Sequence, residues 1–120
     1  DGLEALLRCV RPALELLQTH GPIYMMYFLE IGSTDSSIKE KFRRMYAVVH
    51  AGARLAVERG VKEGKIRKVN PDIAAYAVMG LVERVSEISG LADLDVPIEA
   101  RAEEARELVR RALAAGGCGP

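Results

Sequence analysis

The chain has no tryptophan, only two phenylalanines, and two cysteines in 120 residues. Cys9 falls inside a helical pattern and Cys118 in a glycine-rich tail, which is not the dense disulfide framework of a small secreted domain. No Cys-x-x-Cys pair is present, and nothing supplies a tetrahedral metal set. Free thiols and a cytoplasmic location are the expectation. Net charge is also lacking: 17 basic residues balance 17 acidic ones. A free-standing nucleic-acid binder carries a basic excess, so these residues are not expected to bind DNA directly. No apolar run approaches the ~18–20 residues of a membrane span. The chain opens on Asp1, with no basic-then-apolar leader before its first helical pattern, so a piece of a longer protein is the expectation.

Catalytic signatures are missing too. There is no nucleophile elbow, no glycine-rich phosphate loop and no His-Glu-x-x-His. Neither His20 nor His50 has Glu three positions earlier, which excludes the di-iron bundle repeat. Glu83 and Glu87 stand four apart, but with Arg84 beside them they read as a solvated or subunit-facing edge, not an acid–base pair. Lys65, Arg67 and Lys68 lack interleaved aromatics and read as a solvated loop. No catalytic residue, cofactor or metal ion is expected.

What is present is helical periodicity. With 49% hydrophobic and 28% charged residues, the composition suits one globular domain. From residue 3 to 20, Leu3, Leu7, Val10, Leu14 and Leu17 recur in steps of four and three, and the phase continues through Pro12. That predicts one helix kinked at Pro12 and ended by His20-Gly21-Pro22. A short apolar helix over 22–32 follows. A helix of nearly thirty residues over 37–63 comes next, capped from Ser37, Thr34 or Asp35 and closed by Gly64 with Ile66 packing back. Asn70-Pro71-Asp72 is the clearest helix start: a capping side chain, a ring suited to the first turn and an anion at the positive end of the dipole. That helix runs to about Ser89, and a last one spans 97–115. Residues 1–115 form the expected domain and 116–120 a disordered tail. The fold class is all-α, a five-helix bundle with a long central helix.

The charges are unevenly placed. Residues 21–29, 45–53 (apart from His50) and 73–82 carry none. A helix without a polar face is expected to be covered on most sides, which puts the middle of the long helix at the domain centre. The polar handles in these stretches are Tyr24, Tyr27, Tyr46, Tyr76 and His50, with Met25, Met26, Met45 and Met79 as deformable apolar wall. Apolar walls with a few hydrogen-bonding groups are what a ligand pocket needs. The same inventory also describes a plain core, and His50 equally reads as a hydrogen-bonded buried histidine. Both readings stand on the residues alone.

The stretch Glu63-Gly64-Lys65-Ile66-Arg67-Lys68-Val69-Asn70-Pro71-Asp72-Ile73-Ala74-Ala75, followed by Gly80, resembles the C-terminal half of TetR-family transcriptional regulators. There a long helix ends at a Glu-x-Gly-x-Ile-Arg turn, and an Asp/Asn-Pro cap opens a helix with an Ala-Ala face. The resemblance extends over residues 3–115. It implies a homodimer that binds a small apolar or aromatic effector, with no membrane association. The implied pocket residues are Tyr24, Tyr27, Phe28, Tyr46, Val49, His50, Ala53 and Met79. The implied two-fold interface takes Gly80, Arg84 and Glu87 from the fourth helix and the stripe Ala102, Ala105, Val109 and Ala112 from the last, a stripe that equally suits packing on the chain's own core. The family's helix-turn-helix is not found within these residues, so DNA contact would pass through a segment outside them. The competing reading is a helical protein–protein interaction module with no small-molecule ligand. A small all-α enzyme is a distant third.

Overall fold

The computed structural model describes the backbone of residues 1–29, 36–91 and 95–116, and within these the side chains of 1–19, 40–41, 43–87 and 95–116. Five helices follow in order: α1 (Gly2–Arg8), α2 (Val10–Leu29), α3 (Ser36–Lys62), α4 (Pro71–Leu91) and α5 (Ile98–Leu113). Among the described residues there is no strand, and one isolated bridge joins Ile66 to Ala114.

Asp1 caps α1 by accepting from the Glu4 amide at 2.8 Å. The helix then breaks at Cys9, where a single kinked helix was expected. Pro12 has no N–H to give the Arg8 carbonyl, and its ring clashes with that oxygen in a continuous helix. The break accommodates both problems. Cys9 turns its amide to the Leu6 carbonyl at 3.2 Å, and α2 restarts at Val10, which places Pro12 in a first turn that tolerates it. A second expectation also fails. His20-Gly21-Pro22 does not end a helix; α2 runs through to Leu29. The helical phase of Leu14 and Leu17 continues to Gly21, Tyr24 and Phe28 in steps of four and three, so one helix replaces the two that were expected.

The other junctions form as the residues dictate. Gly64 takes φ +72° at the end of α3, and the Lys65 and Ile66 amides both reach the Gly60 carbonyl at 2.9 Å. Asn70 caps α4, accepting from the Asp72 and Ile73 amides at 3.0 and 3.2 Å. The chain between these helices also closes α5. The Arg67 amide donates to Leu113 at 2.8 Å, its Nε to Ala112 at 2.7 Å, and the Ala115 amide to Lys65 at 2.9 Å. Arg67 is exposed, as expected of a solvated loop cation, and it is in addition a partner for the last carbonyls of α5. Thr34, Asp35 and residues 117–120 with Cys118 lie outside the described residues.

Helix α4 meets α2, α3 and α5, while α3 packs against α1 and α4. One core cluster joins Leu3, Leu6 and Leu7 of α1 to Val57, Ile66, Ala74, Val109 and Leu113. A second joins Val10 and Leu14 of α2 to Val82, Ala102 and Ala105. Burying each of the larger of these side chains contributes about 1.5–3 kcal/mol. The stripe Ala102, Ala105 and Val109 is thus consumed within the chain's own core, which corrects its expected place at a subunit interface. Spaced three and four apart, these residues share one face of α5, and that face is turned to the core.

The uncharged middle of α3 is not covered on most sides either. Ala47, Val48, Val49, Ala51 and Gly52 are exposed, Val48 at 71%. The physical reason is that much of this stretch faces an open space instead of packed side chains.

Candidate functional site

That space is a partly open cavity of about 780 Å³ lined by the first four helices. Its size suits a drug-sized ligand. Helix α1 contributes Ala5 and Leu6, followed by Cys9 at the break. From α2 come Val10, Ala13, Leu16 and Leu17. Across the cavity, α3 presents Met45, Tyr46, Val48, Val49, Gly52, Ala53 and Ala56, and α4 presents Val78, Met79, Val82 and Glu83. The described wall is apolar apart from Tyr46, Glu83 and the Cys9 thiol.

The helix break sets this arrangement. Cys9 re-aims the chain so that α1 lies on α3 while α2 passes on to α4 and α5. The wedge between α1–α2 and α3–α4 is left unfilled, because the facing positions on α3 are short: Gly52, Ala53 and Ala56. Tyr46 is the hydroxyl on this wall. Burial pushes its phenol above the ordinary tyrosine range, and the negative charge of Glu83 and the neighbouring Tyr76 push it further. It is a neutral hydrogen-bonding group at any physiological pH.

Of the residues expected at a pocket, Tyr46, Val49, Ala53 and Met79 line this cavity together. The side chains of Tyr24, Tyr27 and Phe28 lie outside the described ones. His50 is not part of the described lining. It stacks on Tyr76, with ring centroids 3.9 Å apart and planes at 25°, and its Nε2 stands 4.0 Å from Asp72, too far for a hydrogen bond. Arg54 pairs directly with Asp72 at 3.1 Å and with Glu58 at 3.0 Å. His50 therefore belongs to an α3–α4 clamp. At helical angles it lies about 40° beyond Tyr46, just past the edge of the wall.

Reading from the sequence missed the α1–α2 half of the wall and Glu83. Leu6, Val10 and Leu17 carry the same apolar signal whether they meet a neighbour or a void, so no pattern separates the two. Glu83 was grouped with Glu87 as one edge, but they part. Glu83 lines the cavity, whereas Glu87 pairs with Arg84 at 3.4 Å.

The stretch of residues 1–87, which holds α1 to α3, most of α4 and every described wall residue, matches the family described as tetracyclin repressor-like, C-terminal domain. The chain belongs to that family. No curated protein and no solved structure matches it. The TetR-like match ends within α4, so α5 lies beyond it, while Arg67, which meets the end of α5, lies within it. The TetR-like domain is all-helical, as expected, and no described helix is long and apolar enough to cross a membrane. Family members of this kind are regulatory domains.

Of the residues expected at the dimer interface of such a domain, Gly80, Arg84 and Ala112 are exposed, and Glu87 is partly so. With Ile73 and Tyr76 they leave α4 an exposed stripe in steps of three and four: Ile73, Tyr76, Gly80 and Arg84. On α5, Leu108 and Ala112 form an exposed pair one turn apart.

Proposed function

We propose that this domain is the effector sensor and dimerisation module of a TetR-like repressor. The observation that carries the reading is the apolar cavity between α1–α2 and α3–α4, of ligand size and with few polar groups in its wall. A small, largely apolar molecule would fill it and favour the packing of those four helices in which the space is occupied. The coupling is a population shift: the ligand can move the equilibrium only by its difference in affinity for the two packings. The DNA-reading heads that respond lie outside these 120 residues in this reading, and the module works in the cytoplasm as a homodimer.

The exposed stripe of α4 with Leu108 and Ala112 of α5 supplies the two-fold contact. It replaces the expected Ala102, Ala105 and Val109. Exposed Leu55, Ile73, Tyr76 and Leu108 also favour a second reading, a module that docks a different protein and takes no small molecule.

A neutral apolar fluorophore, N-phenyl-1-naphthylamine, separates the two. The first reading expects saturable binding at one site per chain, weakened at least about tenfold in Val49→Trp, whose bulk enters the cavity from a half-exposed position. Absence of saturable binding, or binding indifferent to Val49→Trp, would leave the protein-docking reading.

A further inference from the structure

We propose that His50 is a proton-operated latch: when its ring is protonated, Nε2 closes on Asp72 and pins the first turn of α4 to α3. The proposal goes beyond the sensor reading and stands independently of what fills the cavity.

The Nε2 atom of His50 is buried and has no hydrogen-bond partner among the described residues. About nine in ten buried polar atoms are paired in folded proteins, so this one calls for a physical reason. An acceptor stands close by. Asp72 Oδ1 lies 4.0 Å away, about 1 Å beyond the length of a charge-assisted bond. The imidazolium carries a proton on both nitrogens, so Nε2 becomes a charged donor whichever tautomer the neutral ring holds. Asp72 already accepts from Arg54 at 3.1 Å, and a carboxylate has about four acceptor sites, so it can hold both cations. The imidazole is stacked on the Tyr76 ring at 3.9 Å, and an aromatic face favours a cation. That stack holds His50 in place, while Asp72 is 57% exposed and can turn toward it.

The other charges near the ring are few. On α3, Arg54 stands one turn on, held by Asp72 and Glu58, and Tyr46 one turn before is a neutral phenol. On α4 the facing groups are Asp72, the Tyr76 phenol and the positive end of the helix dipole, which opposes the proton. The charged side chains of α1, Glu4 and Arg8, are exposed, with Arg8 turned to the Glu4 carbonyl. Helix α2 meets α4 in the second core cluster at Val82, ten residues along from Asp72. Ile73 and Tyr76, where the exposed stripe of α4 begins, lie on the stretch that the latch holds.

Histidine side chains ordinarily titrate near about pH 6.5, which sets the window of the test at about pH 7.5 to 5.5. Amide hydrogen exchange of the full chain is measured at both ends, with rates corrected for their intrinsic pH dependence. The parent should gain at least about threefold protection at residues 73–76 in acid. His50→Phe keeps a stacked ring without the proton and should lose the gain. Asp72→Asn keeps His50 but removes the anion and should lose it too, which decides the matter if circular dichroism shows that His50→Phe does not fold. His20→Asn, at the other histidine, should keep the gain. No gain in the parent, a gain that persists in Asp72→Asn, or one lost in His20→Asn overturns the latch.

Discussion

Gly2 and Gly60 meet backbone to backbone where α1 lies on α3. A Cβ built on Gly2 would overlap the Gly60 amide nitrogen and the Ala56 carbonyl, and neither is a flexible side-chain end that could move aside. The same contact brings the Gly2 amide to Glu63 Oε1 at 2.7 Å. Helix α1 thus sits on α3 with no room for a side chain between the two backbones, and that closeness sets one side of the cavity wedge.

Gly2→Ala therefore forces the helices apart. Alanine improves helix propensity by about 1 kcal/mol over glycine. Overpacking against rigid backbone costs about 1–3 kcal/mol, and here two backbone groups must shift together. The net expectation is destabilisation of about 1–2 kcal/mol, read as a lower urea midpoint at unchanged slope. Gly52→Ala is the control. A Cβ there meets nothing within 4 Å, so the same substitution should stabilise by a few tenths to about 1 kcal/mol.

Gly80 tests the subunit contact separately from the fold. A Cβ on Gly80 meets nothing within 4 Å in the single chain, and the residue sits in the exposed stripe of α4. Gly80→Arg should keep the helical circular dichroism signal and thermal midpoint of the isolated chain. Sedimentation equilibrium should show a dimer in the parent and at least about a tenfold weaker association in the variant. A parent that is monomeric at tens of micromolar, or a variant that still associates normally, removes α4 from the two-fold axis.

Acid should loosen the domain through Glu63 and Glu107. The Gly2 amide chiefly, helped by Arg59, holds the Glu63 carboxyl below the ordinary range. Arg111 and then Arg110, at 2.7 and 3.1 Å, do the same for Glu107. A carboxyl with a lowered value in the folded state binds its proton more weakly there than in the unfolded chain. Its contribution is therefore present above the usual glutamate range, near about 4.3, and fades as pH falls through the folded values. Urea midpoints should decline between about pH 5 and pH 2, and the decline should be shallower in the Glu63→Gln, Glu107→Gln double variant.

Where the residues carry their own partner, the structure was legible in them. Asn70-Pro71-Asp72 contains the cap, the ring and the anion of one helix start, and α4 begins there. Gly64 and Ile66 similarly close α3, and Glu107 meets Arg111 four positions on. Features that depend on a distant surface were not. Pro12 and Pro22 show this: each removes one helical hydrogen bond, yet the chain breaks at Cys9, ahead of Pro12, and runs unbroken through Pro22, because tertiary packing decides which site breaks. Ala102, Ala105 and Val109 announce that something packs closely on α5 without saying whether it is the same chain or a second one. His50 and Glu83 both read as polar residues beside apolar helices. Their rotation about α3 and α4 sends one to a clamp with Tyr76 and the other to the cavity wall.

The central claim, that ligand enters between α1–α2 and α3–α4, is tested most directly by hydrogen exchange of the backbone amides with and without saturating N-phenyl-1-naphthylamine. The account predicts added protection in residues 45–56 of α3, 78–83 of α4 and 5–17 of α1 and α2, with little change around Leu108 and Ala112. Protection confined to α5 and the exposed stripe of α4, with none in residues 45–56, would place the probe on the outer surface and contradict the account.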